Sequence, residues 1–286
     1  METAQTLRRR IKTVGELHAI VRTMKALAAV SGRQYEAILK SLEDYARPVE
    51  MGLRVTLRGR VLEQVNRAKK PGPLAAVIFG SDVGLCGRFN EELVAFSLEQ
   101  LHGRSGAAGL NILAVGARIE ARLSELGQPV SAILSTPSSP AGIAAAVGQI
   151  LTTLDLWQKQ AIGQVLLFYS QSGTPKLFPL LPVDLKQFDR LMEEPWPSRV
   201  LPTFSLDAER LLAALIRQHL FASVYRAIVE SLTAENQLRL RAMQAAEKNI
   251  EEKMDELVYE FRTQRQDAID AELLDIGAGF EAVRGH

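Results

Sequence analysis

The stretch AENQLRLRAMQAAEKNIEEKMDELVYEFRTQRQDAIDAELLDI, Ala234 to Ile276, contains neither glycine nor proline. It is the second half of a longer run, because no helix breaker occurs between Pro202 and Gly277. Ser205 reads as the N-cap, with Asp207 and Glu209 placed to favour the positive end of the helix dipole. About 70 residues of helix formers, at 1.5 Å each, make a rod of roughly 105 Å. Ordinary globular helices run ~10–14 residues, so a compact fold has no place for such a rod. Along it Ile250, Met254, Leu257, Phe261, Gln264, Ala268 and Ala271 step alternately by four and three, the spacing of a coiled-coil seam. The seam turns polar and small at Gln264 and Ala268, which suits a partner protein enclosing that end.

A mate for this helix stands at the other end of the chain. Residues 1–60 read as one helix with a seam at Val14, Leu17, Val21, Met24, Ala28, Ser31, Tyr35, Ile38, Leu42, Tyr45 and Val49. Gly15 and Gly32 weaken it by about 1 kcal/mol each, and Pro48 marks a bend or boundary. Residues 1–70 carry 15 Lys/Arg against 7 Asp/Glu, a net of +8, and residues 203–286 carry 10 against 15, a net of −5. Opposite charge on two seam-bearing helices predicts an antiparallel pair within one chain.

Between them, Leu74–Gly80, Leu110–Gly116, Ser131–Leu134 and Val165–Ser170 read as buried strands, with Pro175–Val183 as a possible edge strand. Glu91–Leu101, Arg118–Leu126 and Ala141–Trp157 read as helices. The expected fold is therefore α/β: an antiparallel coiled coil of long N- and C-terminal helices plus a Rossmann-like α/β domain with a mainly parallel sheet. The expected segments are 1–60 for the first helix, 61–202 for the α/β domain and 203–286 for the last helix.

The α/β segment opens on a glycine loop, Gly80, Gly84 and Gly87, which fits neither G-x-G-x-x-G nor G-x-x-x-x-G-K-[ST]. Arg88 follows the last glycine, and the loop has no lysine to hold a phosphate. Ser81 and Asp82 sit where such a fold would place a nucleophile or acid. The other strand ends supply no histidine or second carboxylate, and a lone Asp in a turn usually accepts backbone amides. The structural reading of the loop is favoured, so catalytic, cofactor and metal sites are all expected to be none.

The remaining features point the same way. The single Cys86 excludes an internal disulfide or a cysteine-based zinc site and suits a small buried filler. The histidines, His18, His102, His219 and His286, lack ligand spacing. The basic cluster Arg8, Arg9, Arg10 and Lys12 has no aromatic residue for base stacking and reads as a solvated or partner-facing helix end rather than a nucleic-acid site. The acids Asp267, Asp270, Glu272 and Asp275 read as solvated or partner-facing rather than as a metal cluster. With no apolar leader or membrane-length run, a soluble chain in a reducing compartment is expected.

Three stretches together are similar to one family. RRRIKTVGELHAIVRTMKALAAV (Arg8–Val30), FGSDVGLCGRFN (Phe79–Asn90) and RTQRQDAIDAELLDI (Arg262–Ile276) resemble the gamma subunit of F-type rotary ATP synthases in order, spacing and chain length. The middle stretch is close to that family's S-[DT]-x-G-L-C-G-x-x-N. The resemblance implies a central-stalk rotor that couples ion-driven rotation of a membrane ring to the conformational cycle of the catalytic beta subunits, itself without catalysis. It implies as partners the alpha and beta subunits of the hexamer, the epsilon subunit and the c-ring. Membrane association would be through the ring only, at the cytoplasmic face of a bacterial plasma membrane.

Residue by residue, the resemblance implies partner contact for Met24 and Lys25, for Arg239 and Met243, for Arg265 and Gln266, and for the polar positions Asp270, Glu272 and Asp275. The stretch Ile20–Leu27 departs from the family's I-T-K-A-M-x-M-V, as does Asp270 from a hydroxyl, which suits a divergent bacterial branch. Two other readings stand beside this one. One is a nucleotide- or phosphate-dependent enzyme using Ser81, Asp82 and the Gly80–Gly87 loop. The other is a coiled-coil adaptor.

Overall fold

In the computed structural model of the chain, the described residues are 4–57, 73–104, 109–183, 196 and 203–284. The expected segment boundaries near residues 60 and 202 lie outside them. Helix α1, Ala4–Leu57, spans 54 residues with Pro48 inside it. There follow β1 (Leu74–Phe79), α2 (Phe89–His102), β2 (Leu110–Val115), α3 (Ala117–Glu125), β3 (Ala132–Leu134), α4 (Ile143–Lys159), β4 (Gln164–Gln171) and β5 (Thr174–Leu181). The last helix, α5, runs for 77 residues from Ala208 to Arg284. Gly277 therefore does not end it, contrary to what the sequence suggests.

Nor is Ser205 its cap. The Asp207 carboxylate accepts the backbone N–H groups of Glu209 at 3.1 Å and Arg210 at 3.2 Å, satisfying two of the four donors that a helix start leaves open.

The described residues form two compact units, Ala29–Leu238 and the flanking pair of segments, up to Ala28 and from Arg239 onward. In the larger unit the sheet order is β3-β2-β1-β4-β5, parallel throughout except for antiparallel β5. The central strand β1 is buried at every position, as a sheet covered on both faces requires. Its alternation divides two cores. Leu74, Ala76 and Ile78 pack with residues of α2 and α3, including Leu93 and Ile119. Ala75, Val77 and Phe79 face α4 together with Val224, Ala227 and Ile228 of α5 and Tyr35 of α1.

Within this unit α1 and α5 run antiparallel. Glu36 accepts Gln237 Nε2 at 2.9 Å, and further along Tyr45 donates to Gln218 Oε1 at 2.6 Å. Val49, Leu53 and Leu57 then pack with Leu212, Leu215 and Ile216. Gly52 permits the close approach there, since a Cβ on it would stand 2.8 Å from Leu215 Cδ2. That anchoring accompanies a helix that continues through Pro48.

In the smaller unit the same antiparallel sense holds. Lys25 pairs with Glu247, His18 lies 3.5 Å from Glu251, and Gly15 faces Met254.

The seam of α1 departs from the expected one at two positions. Of the eleven expected, Ala28, Tyr35, Leu42 and Val49 are buried and Val14, Val21, Met24, Ser31 and Ile38 half-buried, whereas Leu17 and Tyr45 are 49% and 42% exposed. Apolarity favours Leu17 over His18. Packing turns His18 inward, where it meets a carboxylate of α5, as Lys25 does beside Met24. On α5 the expected seam from Ile250 through Gln264 is buried or half-buried, and Ala268 and Ala271 are exposed.

Candidate functional site

The glycine loop is the first candidate, and its residues serve the fold. A Cβ on Gly80 would stand 1.7 Å from Ile119 Cγ1 and 2.8 Å from Asn90 Oδ1, so only glycine fits between strand and helix. Gly87 sits at φ +63°, in the left-handed region. Ser81, Cys86 and Asn90 are buried and bonded to one another. Asn90 Oδ1 accepts the Ser81 N–H at 3.1 Å, and Asn90 Nδ2 donates to Ser81 Oγ at 2.8 Å and to Cys86 Sγ at 3.7 Å. Cys86 and Phe89 pack on Ala234 and Leu238, which fixes the loop to α5.

Asp82 is occupied in the same way. Its carboxylate accepts the N–H of Ala117 at 2.8 Å, at the start of α3, and both N–H and O–H of Thr136, at 2.8 and 2.9 Å. It ties the ends of three parallel strands together. Asp82→Ala is expected to lower stability by about 2 kcal/mol, the scale of a lost helix cap plus charged hydrogen bonds. Chemical denaturation reads this directly, and an unchanged midpoint would contradict the structural role.

The residues to which the resemblance assigns partner contact divide into two groups. Met243 and Arg239 are buried, at 3% and 9% exposure, and Met24 is half-buried. Lys25 is held by Glu247, whose carboxyl the Lys25 ammonium holds below its usual range, with His18 and Arg22 adding to the effect. These four side chains lie in or beside the helix pairing. Arg265, Gln266, Asp270, Glu272 and Asp275 are all exposed, on the part of α5 that follows its buried seam. Interleaved with them, Ile269, Leu273, Leu274 and Ile276 are 47–74% exposed. Residues four and three apart share a helix face, so Ile269, Leu273 and Ile276 form one apolar stripe among charges.

Sequence reasoning missed a second apolar set on α1, where Leu17, Ile20, Leu27 and Val30 are 49–62% exposed. The signal was the phase of the heptad, since shifting it by one residue turns Leu17 outward.

One further group sits apart from these surfaces. Burial pushes the Glu230 carboxyl above its usual range, partly offset by Arg226 and a bond from Gln171, and its Oε2 atom has no hydrogen-bond partner. A raised carboxyl disfavours the folded, ionised state, so its cost is complete at high pH and vanishes below the unfolded value. Glu230→Gln is therefore expected to melt higher than the parent at pH 8. The difference should close as pH falls to about 4. A constant difference between those limits would rule out the titration.

The described residues thus define a class: a doubly wound α/β domain set, in sequence, between two very long helices that pair antiparallel, with Ser81, Asp82 and Asn90 of its glycine loop bonded within the fold and exposed apolar residues along both helices. A family model for ATP synthase matches residues 3–283. The chain belongs to that family, as the Arg8–Val30, Phe79–Asn90 and Arg262–Ile276 stretches led one to expect. It is 27% identical to an ATP synthase gamma chain of Rubrobacter xylanophilus, with 99% of each chain covered. It is 26% identical to one of Desulforamulus reducens, covering 99% of this chain and all of that one. Among solved structures it resembles a chain of the rotor of the Euglena gracilis mitochondrial ATP synthase, with a TM-score of 0.63, 16% identity, and 93% and 98% of the two chains covered. That last likeness concerns the fold. The expected central-stalk gamma role agrees with the family model and with both named relatives.

Proposed function

We propose that this chain is the non-catalytic rotor of an F-type ATP synthase, turning within a hexamer of alpha and beta subunits and joined at its α/β domain to an epsilon subunit and a membrane c-ring. The observation that carries this reading is the stretch of α5 from Arg265 to Ile276, helical and exposed throughout, with apolar and charged side chains interleaved. An exposed stripe of large apolar groups signals a missing partner. A ring of subunits around the helix supplies contacts on every side, whereas an adaptor would need only one.

Within this reading Arg265 and Gln266 grip and release a beta-subunit loop. Guanidinium suits the task, because it binds a carboxylate bidentately without losing its charge. Asp270, Glu272 and Asp275 line the polar positions beyond. Met24 contributes to the face turned toward the beta subunits, while Lys25 fixes that face through Glu247. Arg239 and Met243 act from inside the helix pairing by setting its stiffness. The assembly would work at the cytoplasmic face of a bacterial plasma membrane. No helix among the described residues is long and apolar enough to cross a membrane, which fits attachment through the ring.

The loop geometry does not favour a phosphate-dependent enzyme, since the Ser81 and Asp82 side chains are engaged in the fold. Co-expression with alpha and beta subunits tests the proposal. A complex with three alpha and three beta subunits per chain is expected, and a chain that stays solitary would contradict it.

A further inference from the structure

Among the described residues one cluster brings a histidine to two carboxylates. His18 of α1 meets Glu247 and Glu251 of α5, with ligand atoms within 4.8 Å of one another. The two glutamates are four apart on one helix and so share a face. His18 Nε2 is closed off from solvent and has no hydrogen-bond partner, although Glu251 Oε1 stands 3.5 Å away. That nitrogen faces the Glu251 carboxylate without a hydrogen bond, and a cation seated between the imidazole and the two carboxylates would give it a close partner.

We propose that His18, Glu247 and Glu251 bind a divalent transition-metal ion of the zinc type. Imidazole nitrogen and carboxylate oxygen are both ligands of that ion, at ~2.0–2.2 Å, and three protein ligands leave a fourth position for water. Magnesium and calcium are the poorer fit, because they take oxygen ligands in larger number. Glu251 is 61% exposed and can turn toward an ion, whereas the Glu247 side chain is 17% exposed and already stands against Lys25. Lys25 already neutralises Glu247 and competes with the ion, which weakens the site. The bound ion would tie the first helix to the last across more than 220 residues of sequence. None of this depends on the rotor assignment.

The test is calorimetric titration of the chelator-washed full chain with zinc chloride, alongside thermal melts followed by circular dichroism. One equivalent bound saturably and a raised melting temperature are expected. His18→Gln should weaken binding by about tenfold or more, the scale on which removing a site's supporting groups acts. Lys25→Met should tighten it by removing the competing charge. If His18→Gln fails to fold, Glu251→Gln, at an exposed position, carries the same expectation. No saturable binding would overturn the proposal. So would binding that His18→Gln leaves unchanged, which would place the ion at Cys86 or another histidine, or Lys25→Met weakening it.

Discussion

Replacing Gly80 with alanine is expected to destabilise the α/β domain by about 3 kcal/mol, the upper range for forcing an atom into a packed interior. The added methyl would stand 1.7 Å from Ile119 Cγ1, and Ile119 is fully buried. A β-branched side chain on a helix has essentially one rotamer, so Ile119 cannot swing aside and α3 must move as a unit. That motion would strain the Asp82 bond to the N–H of Ala117 at the start of the same helix. Gly103→Ala is the control. Nothing lies within 4 Å of the new Cβ and the backbone is right-handed helical at φ −73°, so a change within about 0.5 kcal/mol is expected. Urea denaturation of the two variants distinguishes steric need from a general dislike of side chains. Equal midpoints would show that Gly80 is replaceable.

The double substitution Ile269→Lys/Leu273→Lys should lower ATP synthesis by the assembled complex by more than about tenfold, with the isolated chain's melting temperature unchanged. The two functions separate because Ile269 and Leu273 are 47% and 61% exposed, so the fold gains little from them. A surrounding partner would bury them, and charges there would meet an apolar wall. Removing interface anchors typically costs ~2 kcal/mol or more each, so the expected fall is a conservative reading of that scale. A double variant that synthesises ATP normally would mean that this face of α5 meets nothing. A double variant that melts early would mean that the stripe belongs to the chain's own core.

Both variants bear on how far the sequence could be read. The two long helices and the strands of the α/β segment follow from periodicity and from where Gly and Pro are absent, because those patterns report burial against a helix or within a covered sheet. The role of Asp82 was legible as well, since an acid at a strand end with no partner acid or base has only backbone to bond. Two other features were not. The seam of α1 near its start depends on whether His18 or Leu17 turns inward, and local apolarity ranks them wrongly. What decides it is the position of Glu247 and Glu251, more than 220 residues away. The cap of α5 failed for a more local reason. Both Ser205 and Asp207 are good caps, and hydrogen-bond geometry selects Asp207. The exposed polar residues Arg265 through Asp275 came from family resemblance, because solvent-exposed charges on a helix have no intrinsic signature of a partner.

Rotation itself is the most direct test. Lys159, at the exposed end of α4, can be changed to cysteine and coupled to a visible probe, while Cys86 at 1% exposure stays unlabelled. The labelled chain is then assembled with alpha and beta subunits fixed to a surface and supplied with ATP. Continuous rotation in one direction, stopping when ATP is withdrawn, is the expected result. ATP hydrolysis at a normal rate with a stationary probe would contradict the rotor role.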